Sequence, residues 1–501
     1  MHRRDFLAAA AMSGLALPAH AFEREGARRN PVLLLDQPIA TLDPHARMDW
    51  AARMVRDAVY DALARHEGDP AEVVPNLAES WAASEDGLTW TFRLAPNARF
   101  ANGDPVDAEA ARASWVRAVG APGTAWMLRD CLRAEGVSAP DPGTLRLVLD
   151  RPLPALAGYL PHVPVFNPRQ VPADDPAWLA AHTAGSGPYR VRRRDASGMV
   201  LDAAPDHWRG WPMPEADRPA AIVLRVVPDP AARRAAFARG QADLLPGEPD
   251  TPAASPLPVL ERRRGLTSLV VMMNTAAGPA ADLNLRRALA YAFPYAGGAP
   301  ATPFPSGMSG AQDVPDMPRQ DLGIARQYAD KLPAGGLDLD YAYLAGDAAA
   351  EAAGQALASA AAPLGLRLAP VPLSWTELLA RGAAPDTSPA LAALRLTPVS
   401  TDPDAFASVW VSASAGQTWG MHHLRDEVLD KLVADARSGL DGRKRLESYQ
   451  DVQRLLVATQ PAIFAGPVER VWAYRGLRGV APSPVRGGGA VDLWRLHVPA
   501  L

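Results

Sequence analysis

Cysteine is nearly missing from the 501-residue chain: Cys131 stands alone. No intrachain disulfide, C-x-x-C redox pair or cysteine-rich zinc site can therefore form. A lone thiol is more often a small buried side chain than a nucleophile, and Cys131 is read that way. Lysine is almost as scarce, at Lys331, Lys431 and Lys444, and the net charge of −4 comes without a long basic run. That excludes the electrostatic footprint of a nucleic-acid binder. Past the first residues no apolar stretch approaches the roughly 20 residues needed to span a bilayer. Signatures of catalysis are missing too, since there is neither a G-x-S-x-G elbow nor an H-E-x-x-H pair. Gly185-Ser186-Gly187-Pro188 resembles a phosphate loop only superficially. Pro188 breaks the glycine spacing and no Lys-Ser or Lys-Thr follows, so a tight turn feeding a strand is expected.

What is present describes a large folded protein. At about 150 residues per domain the length suggests roughly three domains. Hydrophobic residues at 48% and charged residues at 21% are those of a chain that buries a core. The 50 prolines punctuate loops between ordered elements. Residues 1–21 combine a charged start, an apolar stretch from Phe6 to Leu17 and a small-x-small ending at Ala19-His20-Ala21, the make-up of a cleaved export signal. Arg3-Arg4 before Asp5-Phe6-Leu7 resembles a twin-arginine signal, with His2 ahead of the pair.

Periodicity predicts a mixed α and β chain. A strand over 31–35 leads through a Pro-bounded loop to a helix over 49–64, with Met54, Ala58 and Ala62 on one face. Leu88, Trp90, Phe92 and Leu94 alternate with polar residues, as do Leu145, Leu147 and Leu149, so each strand buries one face. Asp107 is positioned to cap a helix reaching Val119. A strand over 222–227, a helix over 230–239 closed by Gly240, and a further strand and helix near 266–273 and 283–292 follow. Residues 296–320 read as loop. In two late helices Val428, Leu429, Leu432 and Ala436 share a face, as do Leu446, Tyr449, Val452 and Leu456.

Few residues carry recognisable chemistry. Met421-His422-His423 offers soft ligands, but adjacent histidines point apart and suit hydrogen bonding better than a shared metal. Asp402 and Asp404, flanking Pro403, suit turn capping. Trp375, Trp410 and Trp419 lie in polar, Pro-rich surroundings and are candidates for a stacking surface, with ordinary core packing as the alternative.

Between 75 and 117 a longer pattern stands out. Pro75-Asn76-Leu77-Ala78-Glu79-Ser80-Trp81, Asp86-Gly87-Leu88-Thr89-Trp90-Thr91-Phe92-Arg93-Leu94 and Phe100-Ala101-Asn102-Gly103-Asp104-Pro105-Val106-Asp107-Ala108 resemble the signature of bacterial solute-binding proteins of the oligopeptide/dipeptide/nickel type. The resemblance continues through Gly185–Tyr189, Pro205-Asp206-His207-Trp208, Gly240-Gln241-Ala242-Asp243, Asn274, Arg286–Tyr291 and Asp402-Pro403-Asp404. It implies an α/β, two-lobe type II periplasmic binding protein fold with an extra subdomain in the first lobe. Lobe I is expected at 22–58, 185–271 and 476–501, the subdomain at 59–184 and lobe II at 272–475. The implied function is capture of a peptide or peptide-like ligand by a monomer and delivery to the permease subunits of an ABC importer, with no cofactor or metal. Closure of two lobes needs no catalytic group. A hydrolase, and a periplasmic sensor subunit on the same fold, are the competing classes.

Specificity is where this chain departs from the pattern. In peptide-binding members an aspartate shortly before the Asp-Pro region, in a Trp-containing segment, pairs with the ligand's ammonium. Aligned through Asp402-Pro403-Asp404, those positions fall on Val399 and Leu396. An ammonium buried without a carboxylate is costly, which favours an N-blocked or non-peptide ligand such as an opine, glycoside or metal chelate, unless a loop shift brings Asp402 into the role. Trp375 matches a tryptophan lining the family's cleft, while Trp410, Trp419 and Arg381 add flat surfaces and one positive charge. The stretch after Tyr295 is shorter than in most members.

Overall fold

Two long antiparallel strands, Val259–Met273 and Ala462–Tyr474, run side by side through the middle of the protein. The computed structural model describes residues 30–46, 50–68, 71–173, 175, 177–246, 259–295, 302–417, 419–481, 485 and 490–499. The expected export signal, residues 1–21, lies outside them.

The long strands join two halves of one ten-stranded sheet, in the spatial order 189–195, 198–203, 221–226, 32–35, 244–246, 462–474, 259–273, 391–396, 337–344, 366–373. Their pairing slips between Arg264 and Ser268 and again between Leu269 and Val270, so the ladder is interrupted midway between the halves. In one half, Val32–Leu35 lies parallel to Ala221–Val226 and packs with helix Trp50–Val59 over a core of Leu33, Leu35, Met54, Leu224 and Trp472. In the other, Leu337–Leu344 is parallel to both neighbours, and helix Leu283–Ala292 covers the outer face through Leu285 and Leu289.

A separate antiparallel sheet, in the order 78–83, 89–94, 144–148, 137–141, lies in the segment 59–184 expected as the extra subdomain, referred to below as the insert. Thr89–Leu94 alternates as expected, with Trp90, Phe92 and Leu94 buried. Helix Ala108–Gly120 begins where Asp107 accepts a hydrogen bond from the amide of Ala110, which satisfies an otherwise orphaned N–H. The largest core is shared: Phe92, Trp115, Leu145 and Tyr159 of the insert form one cluster with Val270, Phe406, Trp410, Tyr449 and Leu456.

Two expectations change, and the loop expected at 296–320 gains anchors. The first helix ends at Val59, and Asp61–Ala62 and Ala64–Glu67 are strands. Helical continuation is blocked because the backbone of 185–187 packs on the helix end: Gly187 N donates to Val59 O, and a Cβ on Gly185 would sit 2.0 Å from that oxygen. The loop-like glycines are thus a close-packing turn. In the helix Glu427–Ser438, Val428 is 64% exposed and Val433 takes its place on the buried face. Finally, residues 302–321 have no regular structure but are anchored, with Phe304 buried against the rings of Phe406 and Tyr449.

Candidate functional site

Helix Trp375–Gly382 starts with a capping box in which Ser374 and Glu377 satisfy each other's backbone amides. That fixes Trp375 at the first turn. Its half-buried ring meets the half-buried ring of Trp419 at 5.4 Å and 47°. Gly382 lets Met421 close on the helix, since a Cβ there would lie 2.7 Å from Cγ of Met421, and Gly416 in left-handed backbone approaches Ala383 O. The loop bearing Trp419 is thereby docked on the helix bearing Trp375, giving a tilted aromatic pair at the margin of the large shared core. Arg381, in the last turn of the same helix, is exposed.

The other expected site residues sit differently. Trp410 has no exposed surface and packs among Phe406, His422 and Phe464. It is a core residue in this conformation because surrounding rings occupy its faces. Leu396 and Val399 are buried, and the carbonyl of Val399 is 2.6 Å from Nε2 of His162 in the insert. Asp402 grips Arg445 through both oxygens and accepts the amide of Asp404. Its carboxylate is a structural partner of a guanidinium, and the turn-capping reading of this pair describes it. His422 is likewise engaged, with Nε2 on Val409 O and Nδ1 accepting from Leu424 N. Among the described residues no group of three His, Cys, Asp or Glu is placed to hold a metal.

Sequence reasoning missed the insert's contribution. Tyr159 donates to Asp404 Oδ2 at 2.5 Å, while Tyr449 donates to the other oxygen at 3.1 Å. Asp404 is fully buried, and Arg437, 3.8 Å away, also donates to Met127 O of the insert. Burial raises the Tyr159 hydroxyl well above its ordinary value, and the Asp404 charge adds to it. Burial works against the Arg437 cation, but Asp404 and Tyr159 outweigh it and its pKa is raised. His162 is held neutral, chiefly by burial and further by Arg53, His66 and Arg56. No local pattern announces the contacts made by Tyr159, His162 and Met127, which join residues 237 to 310 positions apart in the chain.

A second buried cluster shows what the signature residues do. Asp61, out of solvent, accepts from Asn76 Nδ2, Ser186 Oγ and Trp208 Nε1. Burial opposes its charge, yet His207, Arg209 and these donors together hold its pKa below the usual carboxylate value. The motifs around 76, 186 and 208 thus tie the insert to the first half of the large sheet.

The sequence pattern described as "Bacterial extracellular solute-binding proteins, family 5 Middle" matches residues 72–418. The chain is similar to the "Probable D,D-dipeptide-binding periplasmic protein DdpA" of Escherichia coli (strain K12), 26% identical over 447 residues that cover 83% of this chain and 84% of the relative. Its fold resembles that of a dipeptide binding protein from Pseudoalteromonas sp. SM9913 in complex with Met-Leu, at a TM-score of 0.82 and 18% identity over 94% of this chain and 100% of the other. It also resembles MoaA from A. tumefaciens R10 in complex with mannopinic acid, at 0.80 and 20% over 94% and 100%.

Proposed function

The chain belongs to the bacterial extracellular solute-binding proteins of family 5, and from that premise we propose that it captures a peptide or peptide-like ligand between its lobes and presents it to the permease subunits of an ABC importer. The family assignment, spanning residues 72–418, is the observation that carries this reading. The D,D-dipeptide-binding relative supports the ligand class. Arg3-Arg4 and the Ala19-His20-Ala21 ending support export to the periplasm by the twin-arginine route, with cleavage after Ala21. Among the described residues no helix is long and apolar enough to cross a membrane.

We place the subdomain at 59–184, lobe I at 22–58 with 185–271 and the C-terminal segment, and lobe II between them. The hinge belongs at the pairing slips near 264–270. On the returning strand the first lobe resumes before the expected boundary at 476, because Trp472–Tyr474 pair with Leu244–Pro246 and Trp472 joins the lobe I core. The ligand site is assigned to Trp375 and Trp419 as stacking surfaces, Arg381 as a cation at its edge and Leu396 and Val399 as its apolar corner.

A second reading, an N-blocked or non-peptide ligand, is favoured by one observation. Asp402, the carboxylate nearest Val399 in sequence that a loop shift would recruit, is already bound to Arg445. Mass spectrometry of co-purifying ligand, followed by calorimetry with free and N-acetylated di- to pentapeptides, decides. Tight binding of free peptides that acetylation abolishes supports the first reading. Tighter binding of acetylated forms supports the second, and failure of every peptide overturns the peptide assignment.

A further inference from the structure

The insert meets lobe II along a buried seam that is crossed by polar contacts. From the insert come Tyr159, His162 and the backbone of Met127; from lobe II come Asp404, the Val399 carbonyl and Arg437. Tyr159 and Asp404 have no exposed surface, and His162 has 1%. Backbones approach closely, since a Cβ on Gly158 would lie 2.9 Å from Cβ of Ser400. A buried carboxylate stripped of a hydrogen-bond donor must find water or a new donor, so separating these surfaces is coupled to hydrating Asp404. We propose that Tyr159 and Asp404 form a clasp that holds the closed state of the binding protein, and that opening the clasp uncovers Cys131.

This rests on the proposed binding function, because a clasp matters only if the lobes open and close. Asp404 is poised for the role: Tyr449 and Ser408 of its own lobe donate to one oxygen, and the other faces the tyrosine that arrives from across the seam. Cys131 lies beside this contact, 2% exposed, with Arg437 and Asp404 close enough to influence its thiol. As the only cysteine in the chain, it is a native reporter of seam opening.

The test compares the reaction rate of Cys131 with a disulfide thiol reagent in the wild-type protein and in Tyr159→Phe, Tyr449→Phe and Gly158→Ala, each with and without a defined pool of di- and tripeptides. Losing the cross-seam bond should speed labelling about tenfold. Tyr449→Phe, which loses a bond inside lobe II, should stay within about twofold of wild type. Gly158→Ala, crowding Ser400 without removing any hydrogen bond, should speed labelling severalfold and serves if Tyr159→Phe does not fold. Wild-type rates in both Tyr159→Phe and Gly158→Ala, or equal acceleration by Tyr449→Phe and Tyr159→Phe, would overturn the clasp. If the peptide pool leaves wild-type labelling unchanged while Tyr159→Phe and Gly158→Ala are still faster, the clasp stands and the peptide assignment fails.

Discussion

Arg445 holds Asp402 in a two-pronged grip, Nη1 to Oδ2 at 2.9 Å and Nη2 to Oδ1 at 2.7 Å. The guanidinium is nearly buried and the carboxylate about one-fifth exposed, so the pair joins helix Gly442–Thr459 to the loop after Leu396. Replacing Asp402 by Asn removes the charge from one partner only. The expected cost is about 2 kcal/mol, in the range for hydrogen bonds to charged groups, read by urea denaturation. Ligand affinity should stay within twofold, because the carboxylate serves Arg445. A tenfold loss of peptide affinity without a stability change would instead place Asp402 on the ligand.

The tryptophans should separate in the same way. Trp410 lies among three rings with no exposed surface, and truncating a buried aromatic costs about 3–5 kcal/mol. Trp410→Ala should therefore unfold at much lower urea than wild type. Trp375 is half-buried beside Trp419, so Trp375→Ala should leave most of the stability and weaken the native ligand about tenfold, measured by calorimetry. Equal stability losses in the two variants would make Trp375 a packing residue.

Local patterns were legible in the sequence because their causes are local. Asp107 caps its helix with an amide three residues away, and Thr89–Leu94 alternates because one face is buried. The family pattern around 75–117 carried the fold further than periodicity did. Trp375 and Trp419 come together through Gly382 and Gly416, whose role depends on Met421 and Ala383 approaching from other segments. The helix end at Val59 is set by residues 185–187, and Phe304 is buried by Phe406 and Tyr449. Such contacts depend on packing between distant segments, which has no periodicity to read. Tyr159 and Asp404 are 245 residues apart and look like an ordinary apolar-segment tyrosine and turn aspartate until the fold brings them together.

Export supplies a third prediction. The twin-arginine route recognises the paired guanidinium groups, and lysine keeps the charge while losing the planar fork. Changing both Arg3 and Arg4 to Lys should leave the precursor in the cytoplasm, checked by cell fractionation and immunoblotting. Undiminished export would assign the chain to the general secretion channel.

Acid should weaken the folded protein well before its carboxylates titrate. Burial lowers His45, His207 and His422 to about 4, against bonds or charges that favour the cation: the Pro164 carbonyl at His45, Asp61 at His207 and the Val409 carbonyl at His422. His162 is also lowered well below its ordinary value, driven first by burial. These rings stay neutral in the folded protein, whereas in the unfolded chain they take up protons below their ordinary value of about 6.5. More protons bound by the unfolded state means that stability falls as pH falls. The loss therefore begins near pH 6.5 and continues to about 4, at up to about 1.4 kcal/mol per pH unit for each ring. Below that, three of the rings protonate in the folded state as well and their contribution levels off. Asp61, whose folded value is depressed, then adds its own loss as it protonates. Melting temperatures between pH 7.5 and 4.5 should decline steadily through this window, and His207→Gln should flatten the slope by about one proton's worth. A melting temperature that holds constant from pH 7 to 4.5 would mean that the buried histidines take up protons in the folded protein over the same range as in the unfolded chain.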